Sequence, residues 1–281
     1  MRCVGTTEYT TTPPHHSSKR LVLLTDLSVL FVSYRLHRGV YSCSAELCLG
    51  QKTTKYLDFC INRVNLLLRN KVTPLLVFDG GKLPEKDVTD SARGSSRAQN
   101  KAKGLLFHKE GNFKAAEKCF RQAAKVTPAM GNELIERLKL MNVQFLVAPY
   151  EADAQLAFLS QQGLAAAVIS EDSDLIVFGC HRVMYKLDNA GHGKQLRLRL
   201  LGCNESLRFD NWDQKMLQRM CILSGCDYLH SLTGMGLKKA HTYVAANKSH
   251  EQLMRALRRD GTYAHNHLSY RNIILFCSGI S

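Results

Sequence analysis

The chain has 281 residues, enough for one large domain or two modest ones with a buried core. Its 38 lysines and arginines against 24 acids give a formal charge of +14, which suits an enzyme that acts on a polyanion; a merely basic protein is the alternative. No apolar run approaches the roughly 20 residues of a membrane helix, and no signal-peptide core follows Met1. The ten cysteines form no C-x-x-C pair and no Cys/His zinc spacing, which predicts reduced cysteines and no structural zinc.

The first part of the chain predicts a leader, one helix and one strand. Residues 1–19 are polar and aperiodic, so we expect them to be disordered. A short apolar run, Leu21–Leu24, then reaches Asp26. Residues 55–69 have the apolar spacing of a helix, and the run Leu75–Asp79 reads as a buried strand that ends in an acid.

The middle of the chain predicts mainly helices. Residues 86–100 are polar and cationic, and the glycine and serines at 94–96 weaken any helix there. A helical pair is predicted at 100–126 and a further helix at 129–141. Residues 106–129 resemble one tetratricopeptide-type hairpin, but a solenoid needs at least about three copies. A single hairpin is better interpreted as an arch or lid over a site.

The last part returns to strands that end in acids. The runs Phe145–Asp153 and Ala167–Asp174 are separated by a predicted helix at 152–161. Residues 182–208 have the pattern of short strands around a glycine-bearing loop. Helices are then predicted at 211–223 and 236–246. Strands alternating with helices indicate a parallel sheet covered by helices, an α/β fold.

Six carboxylates follow apolar runs: Asp79, Glu151, Asp153, Asp172, Asp174 and Asp227. The first five end three predicted strands, and the carboxyl ends of parallel strands meet at one edge of a sheet. Carboxylates gathered at one edge repel each other unless cations neutralise them. Magnesium prefers oxygen ligands, and two such ions can hydrolyse a phosphodiester. The alternative is that each acid caps the next helix, but five acids in E-x-D and D-x-D pairs favour magnesium.

Two groups of cations accompany the acids. Lys86 and Arg93, seven residues apart, would lie on one helix face and stabilise charge on a transferring phosphate. The segment Gly225–Ala240 opens a helix with two glycines and two lysines, which predicts a seat for backbone phosphate. The residues of that seat are Gly234, Gly236, Lys238 and Lys239. A plain helix turn capped by glycines is the alternative.

Four motifs resemble those of the flap endonuclease/XPG-type structure-specific nucleases, and most closely their exonuclease 1 branch. They are VFDGGKLPEK (77–86), VAPYEADAQLAFL (147–159), ISEDSDLIVFGC (169–180) and MCILSGCDYLHSLTGMGLKKAH (220–241). The resemblance, from about Tyr34 to about Val244, implies a PIN-like parallel sheet flanked by helices, a helical arch and a C-terminal helix–two-turn–helix element. The expected organisation is a leader at 1–19, a nuclease core at 20–210 with the arch at about 86–130, a DNA-binding region at 211–260 and a tail at 261–281.

The resemblance also implies roles. Asp79, Glu151 and Asp153 would ligate one Mg²⁺, for which Mn²⁺ could substitute, and Asp153, Asp172, Asp174 and Asp227 the second. Lys86 and Arg93 would be the catalytic cations at the scissile phosphate, with Arg97 as a further basic residue and His37 as part of a wedge in the duplex. Ser224 and Ser231 would hold a potassium ion.

The implied activity is a magnesium-dependent 5′→3′ exonuclease with flap endonuclease activity. Its DNA substrates would be duplexes with a nick, gap, 5′ end or flap. The enzyme would be a nuclear monomer of DNA repair, including mismatch repair, and of recombination, with protein partners unidentified.

The beginning of the chain departs from the family. Relatives start Met-Gly-Ile-x-Gly-Leu, which residues 1–20 do not match, and a strand ending in Asp-Thr-Tyr should precede Leu36. Counting back without a gap puts Phe31 at that aspartate. With a five-residue insertion Leu21–Asp26 imitates the strand, and Asp26 could be the missing ligand. Residues 1–33 could instead be an unrelated leader, and the family's long partner-binding tail is not expected beyond Ser281.

Three functions therefore remain open from the sequence: the active nuclease, a catalytically impaired DNA-binding relic, and a PIN-type ribonuclease. The ribonuclease shares the acids but does not explain Gly225–Ala240.

Overall fold

The computed structural model describes residues 29–33, 37–83, 86–204, 206–227 and 232–264. They form two compact units, described separately below. The first takes the described residues up to Glu171 together with Met184–Lys194, and the second takes Asp172–Val183 and the described residues from Gln195 onward. Within these ranges no helix is both long and apolar enough to cross a membrane.

The first unit contains four strands and seven helices among its described residues. In chain order they are β1 (Val29–Ser33), α1 (His37–Ser42), α2 (Ser44–Cys48), α3 (Lys55–Arg69), β2 (Thr73–Phe78), α4 (Asp87–Lys109), α5 (Phe113–Ala123), α6 (Pro128–Leu140), β3 (Gln144–Val147), α7 (Ala152–Gln161) and β4 (Ala167–Ile169). Two further strands, β5 (Arg182–Tyr185) and β6 (Lys194–Arg197), each have residues in both units.

The strands form one sheet in the order β3-β2-β1-β4-β5-β6. β1 pairs in parallel with β2 and with β4, and β2 pairs in parallel with β3. Parallel neighbours need helical crossovers, and helices α3, α6 and α7 supply them in the intervening segments. The predicted α/β architecture, a PIN-like parallel sheet flanked by helices, is confirmed.

β1 is the middle strand of this parallel part of the sheet. Phe31 lies opposite Leu75 of β2 on one side and Val168 of β4 on the other. Because both edges of β1 are paired, the place between β2 and β4 is filled by Val29–Ser33. This is the segment that the alignment without a gap puts there. The possibility that Asp26 contributes a metal ligand stays a prediction. Asp26 itself lies outside the described residues.

The core of the first unit lies between the sheet and α3 and α6. The apolar stripe of α3 buries Tyr56, Cys60 and Val64, and it packs with Leu76 of β2 and Leu138 of α6 in one cluster. The helix predicted at 55–69 is confirmed. Cys60 is fully buried in this cluster, in agreement with its predicted part as a small apolar side chain of the core.

The arch differs from the expectation in one respect. α4 is a continuous helix from Asp87, whereas glycine and serine at 94–96 predicted a weak helix before residue 100. A glycine costs about 1 kcal/mol in a helix, and packing at the other end of α4 offsets that cost. There Gly104 lies against the buried ring of Phe120, so close that an added Cβ would come within 2.7 Å of it. The helical hairpin itself, α4 with α5, is confirmed, and so is the helix at 129–141, observed as α6.

The second unit is helical in its described part. It contains α8 (Asp174–Val177), a 3-10 helix (Leu198–Cys203), α9 (Gln214–Ser224), α10 (Leu237–Ala246), α11 (His250–Arg259) and α12 (Gly261–Ala264). α9 begins at Gln214 and not at 211 because the Asp213 carboxylate accepts a hydrogen bond from the Met216 N–H at 2.6 Å and so caps the helix. Met220, Leu223, Val244 and Leu253 are among its fully buried side chains.

Candidate metal centre

Asp79 directly follows β2, and backbone hydrogen bonds join this strand end to the segment before α7. The Ala148 N–H donates to the Phe78 carbonyl at 2.9 Å, and the Gly80 N–H donates to the Tyr150 carbonyl at 2.6 Å. Gly80 is required by this contact because an added Cβ would lie 1.8 Å from the Ala148 carbonyl oxygen. Two segments 70 positions apart in the chain are thereby held side by side.

This junction brings Asp79 to the start of α7. Asp79 Oδ1 accepts a hydrogen bond from the Ala152 N–H at 2.8 Å. Glu151 and Asp153 are the residues on either side of Ala152, so the structure places the three predicted acids of the first unit together. Glu151 is the N-cap residue of α7 but caps it with no side-chain hydrogen bond. The positive end of the helix dipole favours carboxylates at this position.

Lys86 also reaches this group of acids. Its ammonium forms an ion pair with Glu151 Oε1, and the two side chains are only 16% and 22% exposed. Lys86 is the N-cap residue of α4, and Arg93 is an exposed residue farther along the same helix. The sequence predicted Lys86 at a phosphate but gave no sign of this ion pair, because residues 65 positions apart carry no common spacing signal.

The acids of the second unit lie at the start of α8 and after α9. Asp172 Oδ1 accepts from the Asp174 N–H at 3.0 Å. Gln214 and Gln218 of α9 donate side-chain hydrogen bonds to the Val177 carbonyl, so α9 is tied to the end of α8. Asp227 follows α9 beyond Gly225, whose φ of 101° ends the helix. The sequence did not identify the two glutamines, since an amide side chain inside a helix has no distinctive pattern.

One acid of the segment Ala167–Asp174 has a different role. Glu171, next to Asp172 in sequence, belongs to the first unit and forms an ion pair with Arg38 at 3.3 Å. It also accepts a hydrogen bond from the Lys186 N–H at 2.9 Å. These partners explain Glu171 as a structural acid, and it was not among the predicted ligands.

The predicted phosphate seat is the amino end of α10. Gly234 has a φ of +78°, which favours glycine, and Gly236 is the N-cap residue and provides no capping side chain. Lys238 and Lys239 are exposed in the first turn, while Leu232 and Met235 anchor the segment by burial. Farther along α10 the Tyr243 hydroxyl donates to the Asp260 carboxylate. This bond raises the pKa of Tyr243 to about 12 and lowers the pKa of Asp260.

Other predicted residues are described only in part. Ser224 is bonded through its hydroxyl to the Cys221 carbonyl at 3.0 Å, whereas Ser231 lies outside the described residues. Arg97 is a half-buried residue of α4, and His37 is the first residue of α1.

The donor chemistry of these acids fits magnesium, since carboxylate oxygens are its preferred protein ligands. Within each unit, and among the residues that the structure describes, no group of three or more His, Cys, Asp or Glu side chains is arranged to hold a metal ion. The hydrogen bonds to Asp79 and Asp172 and the ion pair to Glu151 engage three of the carboxylates in other contacts. The acids therefore fit a magnesium site by type and by their positions at the ends of strands and helices. To ligate a metal ion, the Glu151 carboxylate would have to give up its ion pair with Lys86.

Comparison with known proteins gives matches to two models of one family. Residues 27–100 match the XPG N-terminal domain and residues 142–227 match the XPG I-region. Exonuclease 1 of Arabidopsis thaliana is 46% identical over 223 residues, which is 79% of this chain and 30% of that protein. Exodeoxyribonuclease 1 of Saccharomyces cerevisiae is 37% identical over 227 residues, 80% of this chain and 32% of that protein. The chain thus spans about a third of the length of these relatives.

Solved structures with the same fold are more distant in sequence. The catalytic core of Rad2 in complex with DNA substrate superposes with a TM-score of 0.60 at 20% identity, covering 90% of this chain and 73% of that one. Flap endonuclease-1 from Methanococcus jannaschii gives a TM-score of 0.58 at 21% identity, covering 89% and 78%. The matched domains, the relatives and the fold agree, and the chain belongs to the exonuclease 1 branch of the flap endonuclease/XPG-type nuclease family.

Proposed function

We propose that this chain is a magnesium-dependent, structure-specific DNA nuclease with 5′→3′ exonuclease and flap endonuclease activity. The observation that carries the proposal is the junction at the end of β2, where Asp79 is bonded to the Ala152 N–H between Glu151 and Asp153. Such a group of acids with a lysine beside it suits hydrolysis of a phosphodiester. The family and its named exonuclease relatives support the reaction type.

Each residue has a task in this proposal. Asp79, Glu151 and Asp153 of the first unit, and Asp172, Asp174 and Asp227 of the second, would hold Mg²⁺, for which Mn²⁺ could substitute. Bound magnesium would activate a water and stabilise the leaving oxygen. Lys86, released from Glu151, and Arg93 would balance charge on the scissile phosphate.

The second unit would hold the duplex by its sugar–phosphate backbone. Lys238 and Lys239 together with the amino end of α10 would bind phosphate without reading base sequence. Ser224 and Ser231 would hold a potassium ion beside it, Arg97 would add a basic contact, and His37 would help to wedge the duplex. The substrates would be nicked, gapped, flapped or 5′-ended duplexes met in nuclear DNA repair and recombination, with the chain acting as a monomer.

The test is cleavage of 5′-labelled nicked or flapped duplex by the purified chain with and without magnesium. We expect 5′ products that require the metal and that disappear in Asp79→Asn and Asp172→Ala. Glu171→Gln is a matched control, because this neighbouring acid is explained by Arg38 and the Lys186 N–H and should retain activity. Absence of metal-dependent product, or product that survives Asp172→Ala, contradicts the proposal.

A second candidate, a catalytically impaired DNA-binding relic, is favoured by one observation. The middle strand of the sheet, Val29–Ser33, contains no acid, although relatives are expected to place a metal ligand there. The relic would bind nicked duplex in a salt-sensitive manner without turnover. Multiple turnovers of a flapped substrate would reject it.

A further inference from the structure

Three arginines of the second unit lie around the base of the hairpin formed by β5 and β6. Arg182 opens β5, Arg197 ends β6, and Arg199 lies in the 3-10 helix that follows. The connecting residues 186–193 are fewer than the dozen or so that a parallel crossover needs, so the two adjacent strands are antiparallel.

The register of the hairpin makes two of the arginines direct neighbours. The Leu198 N–H donates to the His181 carbonyl at 3.0 Å, which pairs these two residues. One position inward on each strand are Arg182 and Arg197, and residues opposite one another in an antiparallel pair project from the same face. Arg199 follows two positions after Arg197 and is exposed.

Among the residues that the structure describes, no acid balances the charges of this group. No carboxylate of the described residues forms an ion pair with any of the three guanidinium groups, and Arg197 donates only to the Gln195 side chain, at 2.8 Å. Arg182 is half-buried, and burial together with the charges of Arg197 and Arg199 lowers its pKa. Like charges directly opposite each other destabilise a strand pair. A folded chain that keeps them has a strong local preference for an anion.

We propose that Arg182, Arg197 and Arg199 bind the phosphate backbone of a nucleic-acid strand, as a contact additional to the phosphate seat at α10. The planar guanidinium fork matches phosphate oxygens in bidentate geometry. A nucleic acid suits the group better than a single small anion because three adjacent cations require several negative charges in a row. This inference rests on the proposed function, which supplies DNA as the partner.

The experiment measures binding of the purified chain to a labelled 5′-recessed duplex by fluorescence anisotropy, in EDTA so that no cleavage occurs. Each phosphate contact contributes about 0.9 to the slope of log K against log salt concentration. At about 0.1 M salt, loss of one contact therefore weakens binding about 8-fold and loss of two about 60-fold. We expect these losses for Arg197→Gln and for Arg197→Gln with Arg199→Gln, equally on duplexes of different sequence.

Arg255→Gln is the matched control. This arginine is also exposed in the second unit, but it is paired with Glu251 at 3.8 Å, and its variant should bind DNA within about twofold of the parent. The melting temperature of the arginine variants should not fall, because the substitutions remove repulsion. Arg199→Gln alone, at an exposed position, gives the same test should the double variant unfold.

The outcomes separate this inference from the proposed function. If the parent binds DNA and the double variant binds it equally, with an unchanged salt slope, the arginine site is overturned and the nuclease proposal stands. If the double variant loses affinity for polyglutamate but not for DNA, the site is one for acidic protein, and the inference is likewise overturned. A parent chain that neither binds nor cleaves DNA contradicts the proposed function itself.

Discussion

The ion pair between Lys86 and Glu151 predicts that removing a cation strengthens metal binding. Lys86→Met keeps the length of the side chain and deletes its charge. In the structure a metal ion would have to compete with the Lys86 ammonium for Glu151, so the metal-binding free energy includes the cost of breaking this pair. The two side chains are 16% and 22% exposed, and solvent screens them less than it screens a surface pair.

The size of the effect follows from this degree of burial. Exposed ion pairs contribute about 0.2–1 kcal/mol, and a pair as enclosed as this one belongs at the upper end, about 1 kcal/mol. An energy of about 1 kcal/mol corresponds to roughly a fivefold change in a binding constant. Lys86→Met should therefore bind Mn²⁺ or Mg²⁺ about fivefold more tightly. DNA cleavage should fall at the same time, by about 100-fold or more, if Lys86 stabilises the phosphate.

Metal affinity is measured without DNA, by calorimetry or by the electron paramagnetic resonance of Mn²⁺. Lys139→Met is the matched control, since it deletes a lysine paired with Glu136 at 2.8 Å on the surface of α6 and should leave metal affinity unchanged. The opposite signs matter, because general damage to the fold would weaken metal binding and cleavage together. Unchanged or weaker metal binding by Lys86→Met would refute the reasoning.

Three further predictions concern the supports of the site. Gly80→Ala should destabilise the fold by about 1–3 kcal/mol in urea unfolding, because its Cβ would meet the Ala148 carbonyl. Gly94→Ala is the control: it has open space around it and should stabilise α4 by up to about 1 kcal/mol. Equal effects of the two substitutions would contradict the contact at Gly80. Gln214→Met removes donors to two carbonyls of α8 and should cost about 1–3 kcal/mol, with a larger proportional loss of DNA cleavage than a comparably destabilised control. The Tyr243 hydroxyl lowers the pKa of Asp260 from 3.8, so its contribution to stability is present above that value and is lost as the pH falls through the lowered pKa. Tyr243→Phe should make unfolding less dependent on pH between pH 5 and the acid limit, and an unchanged pH profile would count against the bond.

The sequence predicted the strands and helices well wherever the apolar periodicity agreed with the residues that begin or end such elements. The helix at 152–161 and the strand ending before Asp79 were predicted at their observed places, since apolar runs bounded by acids and prolines leave few alternatives. The start of α4 was not. Local propensity at 94–96 argued against a helix, whereas the observed helix packs through Gly104 against Phe120 of the next helix, a contact that residues 94–96 do not reveal.

The position of the site was also predictable in part. The rule that parallel strands end at one edge predicted Asp79 near Glu151 and Asp153, and Asp79 is bonded to the backbone N–H of the residue between them. The role of these acids as metal ligands stays a prediction. Charge alone could not distinguish Glu171 from Asp172, because the distinction depends on the Arg38 guanidinium and a backbone N–H brought there by folding.

The acid-free middle strand connects the metal question with the choice between enzyme and relic. β1 is fixed in place by pairing on both edges. This strand can therefore contribute an acid to the group at the sheet's edge only through a substitution in Val29–Ser33. A missing carboxylate weakens attraction for a cation, but it also removes repulsion among the acids that remain and between them and a phosphate. The two effects act on different quantities. Weaker attraction for the cation raises the magnesium concentration needed for half-maximal cleavage. Reduced repulsion of the phosphate leaves the cleavage rate at saturating magnesium nearly intact. A chain with six acids is thus expected to be an enzyme with a high magnesium requirement, whereas a relic would stay inactive at every magnesium concentration.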